Sequence, residues 1–95
     1  MVVGVCRLHL SMPGNTSLKD KRRLLRPLMA ELHHTYKVAA AEVDLQNVWD
    51  EAVIAFATVS NDRRATNSYI DRIVAAVGEM RDLSLLRHEF EITNY

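Results

Sequence analysis

The stretch Ser17-Leu18-Lys19-Asp20-Lys21-Arg22-Arg23-Leu24-Leu25-Arg26 combines a helix start, part of an apolar face and the densest positive charge in the chain. Asp20 follows Ser17 by three residues, the spacing at which a hydroxyl and a carboxylate each satisfy a free amide of the first helical turn. Leucines then recur at the helical period and form one apolar face: Leu18, Leu25, Leu28 and Leu32. The sequence therefore predicts a helix that begins at Leu18 and runs to about Tyr36, with a kink at Pro27 because proline has no amide hydrogen.

The positive charges of this stretch give the predicted helix a second face. Residues 17–26 carry five positive charges and one negative charge, a net of +4, whereas the formal charge of the whole chain is zero. The five cations are Lys19, Lys21, Arg22, Arg23 and Arg26. Four of them lie at i, i+3, i+4 and i+7 from Lys19 and share one face. Two interpretations follow: a solvated outer surface, the usual outcome for a charged helix face, or a surface on which arginines bind phosphate oxygens with paired donors.

Length and composition point to one small folded domain. The 95 residues are 48% hydrophobic, which favours a single globular domain spanning 1–95 with a core of limited size. Because the formal charge is zero, nucleic-acid binding would have to use a local patch. Cys6 is the only cysteine, which excludes an internal disulfide and any multi-cysteine metal site. No segment approaches the roughly 20 apolar residues that span a bilayer, and no charged leader precedes an apolar run, so we expect a cytoplasmic protein without a membrane partner.

The rest of the chain alternates strand and helix signals. Period-two alternation predicts strands over residues 2–10, 52–59 and 82–93, and a short alanine-rich stretch predicts another over 38–43. A second helix is predicted after Ser60-Asn61-Asp62, whose side chains can cap it. In a chain of this length, the resulting order is typical of an α+β ferredoxin-like βαββαβ sandwich, with a four-stranded antiparallel sheet and two helices on one face.

The predicted sheet leaves one face without helices. Small apolar residues of the first and third strands would form a contiguous area on it: Val3, Val5, Val53, Ala55, Ala57 and Val59. Such a patch is unusual on a monomer and indicates a homo-oligomer, with a dimer favoured. Trp49 is grouped with this interface, although it could either cover one end of the core or contact a partner. Arg7 and His9 would face charged residues of the last strand, including Glu89, and form cross-strand ion pairs.

The sequence contains no recognisable catalytic apparatus. Small phosphatases of this topology need a glycine-rich phosphate cradle with an arginine, whereas residues 13–16 contain one glycine and no arginine. Cys6 lies mid-strand on the presumed core face without an accompanying base. The acidic residues around the turn before the third strand are Glu42, Asp44, Asp50 and Glu51. Their spacing matches no calcium loop, so a solvated turn is favoured. We therefore expect no enzymatic activity, no catalytic residue, no metal and no cofactor.

Several blocks of the sequence resemble a known family of small bacterial proteins. They are Met1-Val2-Val3-Gly4-Val5, Pro13-Gly14 with Ser17 to Arg23, Ala41-Glu42-Val43-Asp44 with Gln46 and Trp49, and Val59-Ser60-Asn61-Asp62-Arg63. In this order, and over nearly the whole chain, they resemble the YlxP-like family, which carries a domain of unknown function. The resemblance implies the ferredoxin-like fold and a gene neighbourhood of translation initiation and ribosome maturation factors. It brings no catalytic residue with it.

The resemblance makes ribosomal RNA or the small ribosomal subunit the expected partner. The leading hypothesis is a non-enzymatic ribosome-associated or RNA-binding protein that assists ribosome maturation and contacts RNA phosphates through the basic first helix, with Arg63 and Arg64 as weaker candidates. None of the six aromatic residues is predicted on the open sheet face, so direct base reading from the sheet is not expected. The alternative hypothesis is a protein-interaction or small-ligand regulatory module assembled through the open sheet face.

Overall fold

The computed structural model describes residues 1–95 and contains four strands and two helices. In chain order these are β1 (Val2–Ser11), α1 (Leu18–Ala30), β2 (Ala39–Asp44), β3 (Glu51–Ser60), α2 (Arg63–Gly78) and β4 (Ser84–Asn94). A π-helical turn, Glu31–Thr35, extends α1. The order is the predicted one, and the strand boundaries differ from the predicted boundaries by one or two residues.

The strands form one antiparallel sheet in the order β2-β3-β1-β4. The central strand β1 is paired with β3 on one side and with β4 on the other. Residues of both helices join the same hydrophobic core, so the two helices lie on one face of the sheet and leave the other open. The predicted ferredoxin-like α+β fold is therefore confirmed.

The two ends of the sheet carry different connections. At one end, here named the upper end, Ser11 lies opposite Glu51, so this end carries the start of α1 and the β2–β3 turn of residues 45–50. At the lower end, Val2 lies opposite Ser60, so this end carries the start of α2. The starts of the two helices therefore lie at opposite ends of a molecule whose principal extents are 42 × 21 × 21 Å.

One hydrophobic core lies between the sheet and the helices and contains 15 buried residues. The two central strands and the two helices supply most of its large side chains: Leu8, Leu10, Ile54, Phe56, Leu25, Leu28, Leu32, Ile70, Ile73 and Val77. Of the leucine face predicted for α1, Leu25, Leu28 and Leu32 belong to this core, whereas Leu18 is half-buried outside it. No helix of the structure combines the length and the apolar character needed to cross a membrane.

Gly4 marks a close approach of α2 to β1. A β-carbon at this position would lie 2.7 Å from Thr66 Cγ2 and 2.9 Å from Ile70 Cδ1, distances that real β-carbons do not show. Thr66 is held in place because its hydroxyl donates to the Asp62 carbonyl and contacts the Ser60 hydroxyl. Glycine is therefore required at this point of β1 by lack of space.

The N-terminus of α1 forms the predicted cap in part. Ser17 Oγ accepts a hydrogen bond from the Asp20 amide at 3.1 Å, as expected. The Asp20 carboxylate does not complete the reciprocal bond and instead lies 3.5 Å from Arg23 Nε. The first turn is thus capped by one side chain rather than two.

The C-terminal half of α1 departs from regular geometry. The helix continues through Pro27, and the π-helical turn begins four residues later, at Glu31. The Tyr36 amide donates to the Glu31 carbonyl at 3.0 Å, and Lys37 then leaves the helix with a left-handed φ of 57°. The predicted length of this helix is correct, but the π-helical turn was not predicted.

Candidate nucleic-acid interface

The outer face of α1 exposes four of the five predicted cations: Lys19, Arg22, Arg23 and Arg26. From the first to the last they span about 10 Å along the helix axis, given a rise of about 1.5 Å per residue. Arg23 forms an ion pair with Asp20, whereas the other three side chains make no ion pair. The structure therefore brings together a row of solvent-facing cations on one helix face.

Lys21 does not belong to this row. It is 1% exposed, and its Nζ donates to the carbonyls of Leu45 at 2.8 Å and Val48 at 2.7 Å. Glu42 Oε2 lies 2.8 Å from the same nitrogen, in an ion pair without good hydrogen-bond alignment. The prediction that Lys21 contacts RNA is therefore wrong, because its ammonium is enclosed by the β2–β3 turn.

The sequence contained the signal for this burial. Lys21 follows Leu18 by three residues and precedes Leu25 by four, so helical spacing places it on the leucine face rather than the basic face. Glu42, in β2, supplies its counter-ion. This acidic residue therefore pairs with a buried lysine, while Lys19, Arg22 and Arg26 make no ion pair.

Arg63 and Arg64 are exposed at the start of α2, at the lower end of the sheet. Asp62 caps this helix, and its Oδ1 accepts from the amides of Arg64 at 2.9 Å and Ala65 at 3.2 Å. The start of α1 lies at the opposite end. The structure therefore does not join these two arginines to the cations of the first turns of α1.

Trp49 lies in the β2–β3 turn at the upper end and is 54% exposed. Its carbonyl accepts from Asn15 Nδ2 at 2.6 Å, and the same amide nitrogen donates to the Ser17 carbonyl at 3.0 Å. The side chain does not belong to the core. Of the two roles left open by the sequence, a lid on the core is therefore excluded.

The open sheet face carries most of the predicted apolar patch. Val3, Val5, Ala55, Ala57 and Val59 are exposed or half-buried there, and in register Val3 faces Val59 and Val5 faces Ala57 across the two central strands.

Val53 is the exception, with 4% exposure. It lies between His9 of β1 and Asp44 of β2, where β2 bulges, and its neighbours cover it. Its predicted role as an accessible interface residue is wrong.

The side chains of Arg7, His9 and Glu89 meet on the open face, as the sequence predicted. His9 Nε2 donates to Glu89 Oε1 at 2.9 Å, and Arg7 Nε lies 3.3 Å from the same oxygen. The hydrogen bond from His9 and the charge of Arg7 lower the pKa of the Glu89 carboxyl below its ordinary value. These side chains border a shallow depression of about 640 Å³ that extends to Val5 and Ala55.

Cys6 lies below this depression, in the middle of β1. Burial, reinforced by the charge of Glu89, raises the pKa of its thiol to about 11. Such a thiol is almost fully protonated near neutral pH and is therefore a poor nucleophile. No group of three or more potential metal ligands occurs in the structure.

Comparison with known proteins agrees with the resemblance found in the sequence. Residues 3–90 match a family model described as "Protein of unknown function (DUF503)". The "Uncharacterized protein YlxP" of Bacillus subtilis (strain 168) is 25% identical over 67 residues, which cover 70% of this chain and 73% of the relative. Neither description names a reaction, a ligand or a partner. Because the family model covers nearly the whole length, the chain belongs to the DUF503 family, to which the YlxP-like resemblance pointed.

Proposed function

We propose that this protein is a non-enzymatic RNA-binding protein of the cytoplasm that associates with the ribosome and assists its maturation. The observation that carries the proposal is the outer face of α1, where Lys19, Arg22 and Arg26 are exposed without ion-pair partners. In a chain whose formal charge is zero, this row is a local positive potential rather than a general property of the surface.

The row is suited to a phosphate backbone rather than to a single anion. Its length of about 10 Å along the helix allows contacts with more than one phosphate of the same strand. Each arginine offers a planar fork of donors to phosphate oxygens. Lys21 fixes the first turns of α1 against the β2–β3 turn, so the row is held in place before binding.

The ribosomal part of the proposal rests on the family resemblance. The resemblance implies a gene neighbourhood of translation initiation and ribosome maturation factors, which makes ribosomal RNA, or the small subunit, the favoured partner. We infer that binding follows backbone shape and charge, because the cations that carry it would contact phosphates.

The open sheet face supports a second function, homodimerisation. Val5 and Val59 are exposed there, beside a depression bordered by Arg7, His9 and Glu89. An accessible apolar area on a small domain favours contact with another protein surface. We propose that this face joins two copies of the chain; a different protein or a small ligand on the same face is the alternative.

The RNA proposal is tested by co-sedimentation with purified ribosomal subunits. Arg22→Glu/Arg26→Glu changes two residues that make no ion pair and leaves the Asp20–Arg23 pair intact. The matched control is Lys37→Glu/Arg72→Glu, two exposed cations outside the row. Both double variants lower the net charge by four, because two residues change from +1 to −1.

We expect the wild type and the control to travel with a subunit, and the Arg22→Glu/Arg26→Glu variant to lose at least about tenfold in affinity. Phosphate contacts by the three unpaired cations also predict a fall in affinity of roughly 20- to 40-fold between about 50 and 200 mM salt. Equal loss in both double variants would indicate a general charge effect. If the wild type does not sediment with either subunit or bind isolated ribosomal RNA, the proposal is wrong.

A further inference from the structure

Trp49 is an exposed aromatic side chain attached to the start of the basic helix. The Asn15 side-chain amide bridges the two, because it donates to the carbonyls of both Trp49 and Ser17. Ser17 is the residue that caps α1. The Asn15 side chain therefore joins the turn that carries the indole to the helix that carries the cations.

The residues on either side of Trp49 are fixed in the same way. The Val48 carbonyl accepts from Lys21 Nζ at 2.7 Å, and the Asp50 carbonyl accepts from the Met12 amide at 2.8 Å. Three consecutive carbonyls of the turn thus bond to the segment that contains the start of α1. The backbone that carries the ring is therefore held in place before any ligand binds.

The surroundings of the ring limit what it can bind. Asp44 and Asp50 are exposed in and beside the turn and repel phosphates from it. The flat face of a nucleobase carries no charge and stacks on an indole whatever the base. Lys19 lies in the first turn of α1, next to the Ser17 cap. An RNA strand on the row can therefore extend a base past this end of the helix toward the turn, although its phosphates avoid the turn itself.

We propose that Trp49 stacks on an unpaired base of the RNA whose backbone lies along α1. This inference rests on the proposed function and names its ligand class: single-stranded or looped RNA rather than a continuous duplex. A base that stacks on a protein side chain must leave its own helix, so regular duplex RNA cannot supply it. Phosphate contacts on α1 hold the strand, and the indole selects an unpaired segment.

Trp49 is the only tryptophan of the chain, so its fluorescence reports directly on stacking. The titrant is an oligouridylate of about ten nucleotides, compared with an abasic strand of equal length and with a duplex. We expect saturable quenching by the oligouridylate alone. The abasic strand should bind through its phosphates without quenching. In an anisotropy assay with the labelled oligouridylate, Trp49→Ala should weaken binding by roughly 5- to 150-fold, and Trp49→Phe should retain most of the affinity.

The failures of this inference and of the proposed function can be told apart. If both RNA strands bind, binding requires Arg22 and Arg26, and Trp49→Ala has no effect, α1 binds RNA and the stacking inference is overturned. If no RNA binds the wild type at low salt, the proposed function itself fails. If Trp49→Ala abolishes co-sedimentation with subunits while the oligouridylate causes no quenching, Trp49 contacts protein, and stacking is again overturned.

Discussion

Lys21 is a charged residue on the apolar face of α1, and its ammonium has three oxygen partners: two carbonyls of the β2–β3 turn and the carboxylate of Glu42. The ammonium donates two hydrogen bonds to the carbonyls, and the Glu42 carboxylate balances its charge. Removal of one partner from such a buried group costs much more than the pair contributes in net terms. The burial of Lys21 therefore couples the turn to the helix.

The substitution Lys21→Met tests this coupling. We expect the free energy of unfolding to fall by about 2–4 kcal/mol, because two carbonyls lose their donor and the Glu42 carboxylate loses its counter-ion. Denaturant unfolding followed by circular dichroism measures the loss. Lys19→Met, on the exposed side of the same turn, is the control and should change stability by no more than about 0.5 kcal/mol. Equal stability of the two variants would contradict the assigned role of Lys21.

The contribution of Glu89, on the open face, to the stability of the protein depends on pH. The pKa of the Glu89 carboxyl lies below the ordinary value of 4.5 because His9 donates to the carboxylate and Arg7 lies beside it. The unfolded state therefore binds the proton more readily, so the contribution of Glu89 to stability is complete above the ordinary pKa and is lost as the pH falls through the folded pKa.

We expect the urea midpoint of the wild type to fall toward that of Glu89→Gln as the pH is lowered below the ordinary pKa of 4.5. The difference between the two proteins should be largest near neutral pH. Glu91→Gln, on the same strand and without an ion pair, should show no comparable convergence. A difference between wild type and Glu89→Gln that does not change with pH would rule out this contribution.

At the scale of the secondary-structure elements, the contact between α2 and β1 depends on Gly4. The Thr66 methyl group and the tip of Ile70 occupy the space where a side chain would begin. Ile70 can shift its terminal carbon, whereas Thr66 is restrained by hydrogen bonds at the start of α2. Any residue larger than glycine must therefore move the helix away from the sheet or break the cap.

Gly4→Ala is expected to destabilise the protein by about 1–3 kcal/mol, the range for overpacking of a well-filled core. Gly78→Ala provides a matched control, since a β-carbon there meets no atom within 4 Å and the residue ends an exposed helix turn. The control should be neutral or slightly stabilising, because alanine restricts the unfolded chain more than glycine does. Thermal unfolding of both variants measures the contrast, and similar midpoints would show that the close approach has no energetic importance.

At the scale of the whole molecule, the apolar open face is the surface through which we propose that two copies of the chain associate. Val59 is 64% exposed and lies opposite Val3, so the lower part of the face presents apolar side chains to solvent. We expect the wild type to sediment as a dimer and Val5→Glu/Val59→Glu as a monomer, because a buried pair of new carboxylates would be desolvated in the interface. Leu86→Glu introduces a charge at an exposed apolar residue outside this patch and should leave the dimer intact. A monomeric wild type at high concentration would exclude the proposed dimer.

Much of the fold could be predicted because local patterns and topology agree. The alternation of apolar residues in the strands and the leucine spacing of α1 each pointed to the observed element, and few arrangements of these elements are possible in so short a chain. The π-helical turn at Glu31–Thr35 was not predictable, since no residue pattern separates it from a regular helix end.

The candidate site was predictable at the level of charge but not of burial. Helical spacing identified the face of Lys19, Arg22 and Arg26, and the structure exposes it. Lys21 was misassigned because its charge matches the basic face, whereas its helical position places it on the leucine face. Val53 was misassigned because strand alternation predicts its face of the sheet but not its burial; in the structure it lies between His9 and Asp44, beside a register shift in β2.

Because the ammonium of Lys21 is enclosed, the reactivity of this lysine in covalent labelling reports on the contact between the β2–β3 turn and α1. The chain has three lysines, and the other two, Lys19 and Lys37, are exposed. An amine-acylating reagent should therefore modify these two and the N-terminal amine of the exposed Met1 in the folded protein, while Lys21 reacts only when the turn separates from the helix. The rate of Lys21 modification, followed by mass spectrometry of peptides, would then give the frequency with which this contact opens in an otherwise native molecule.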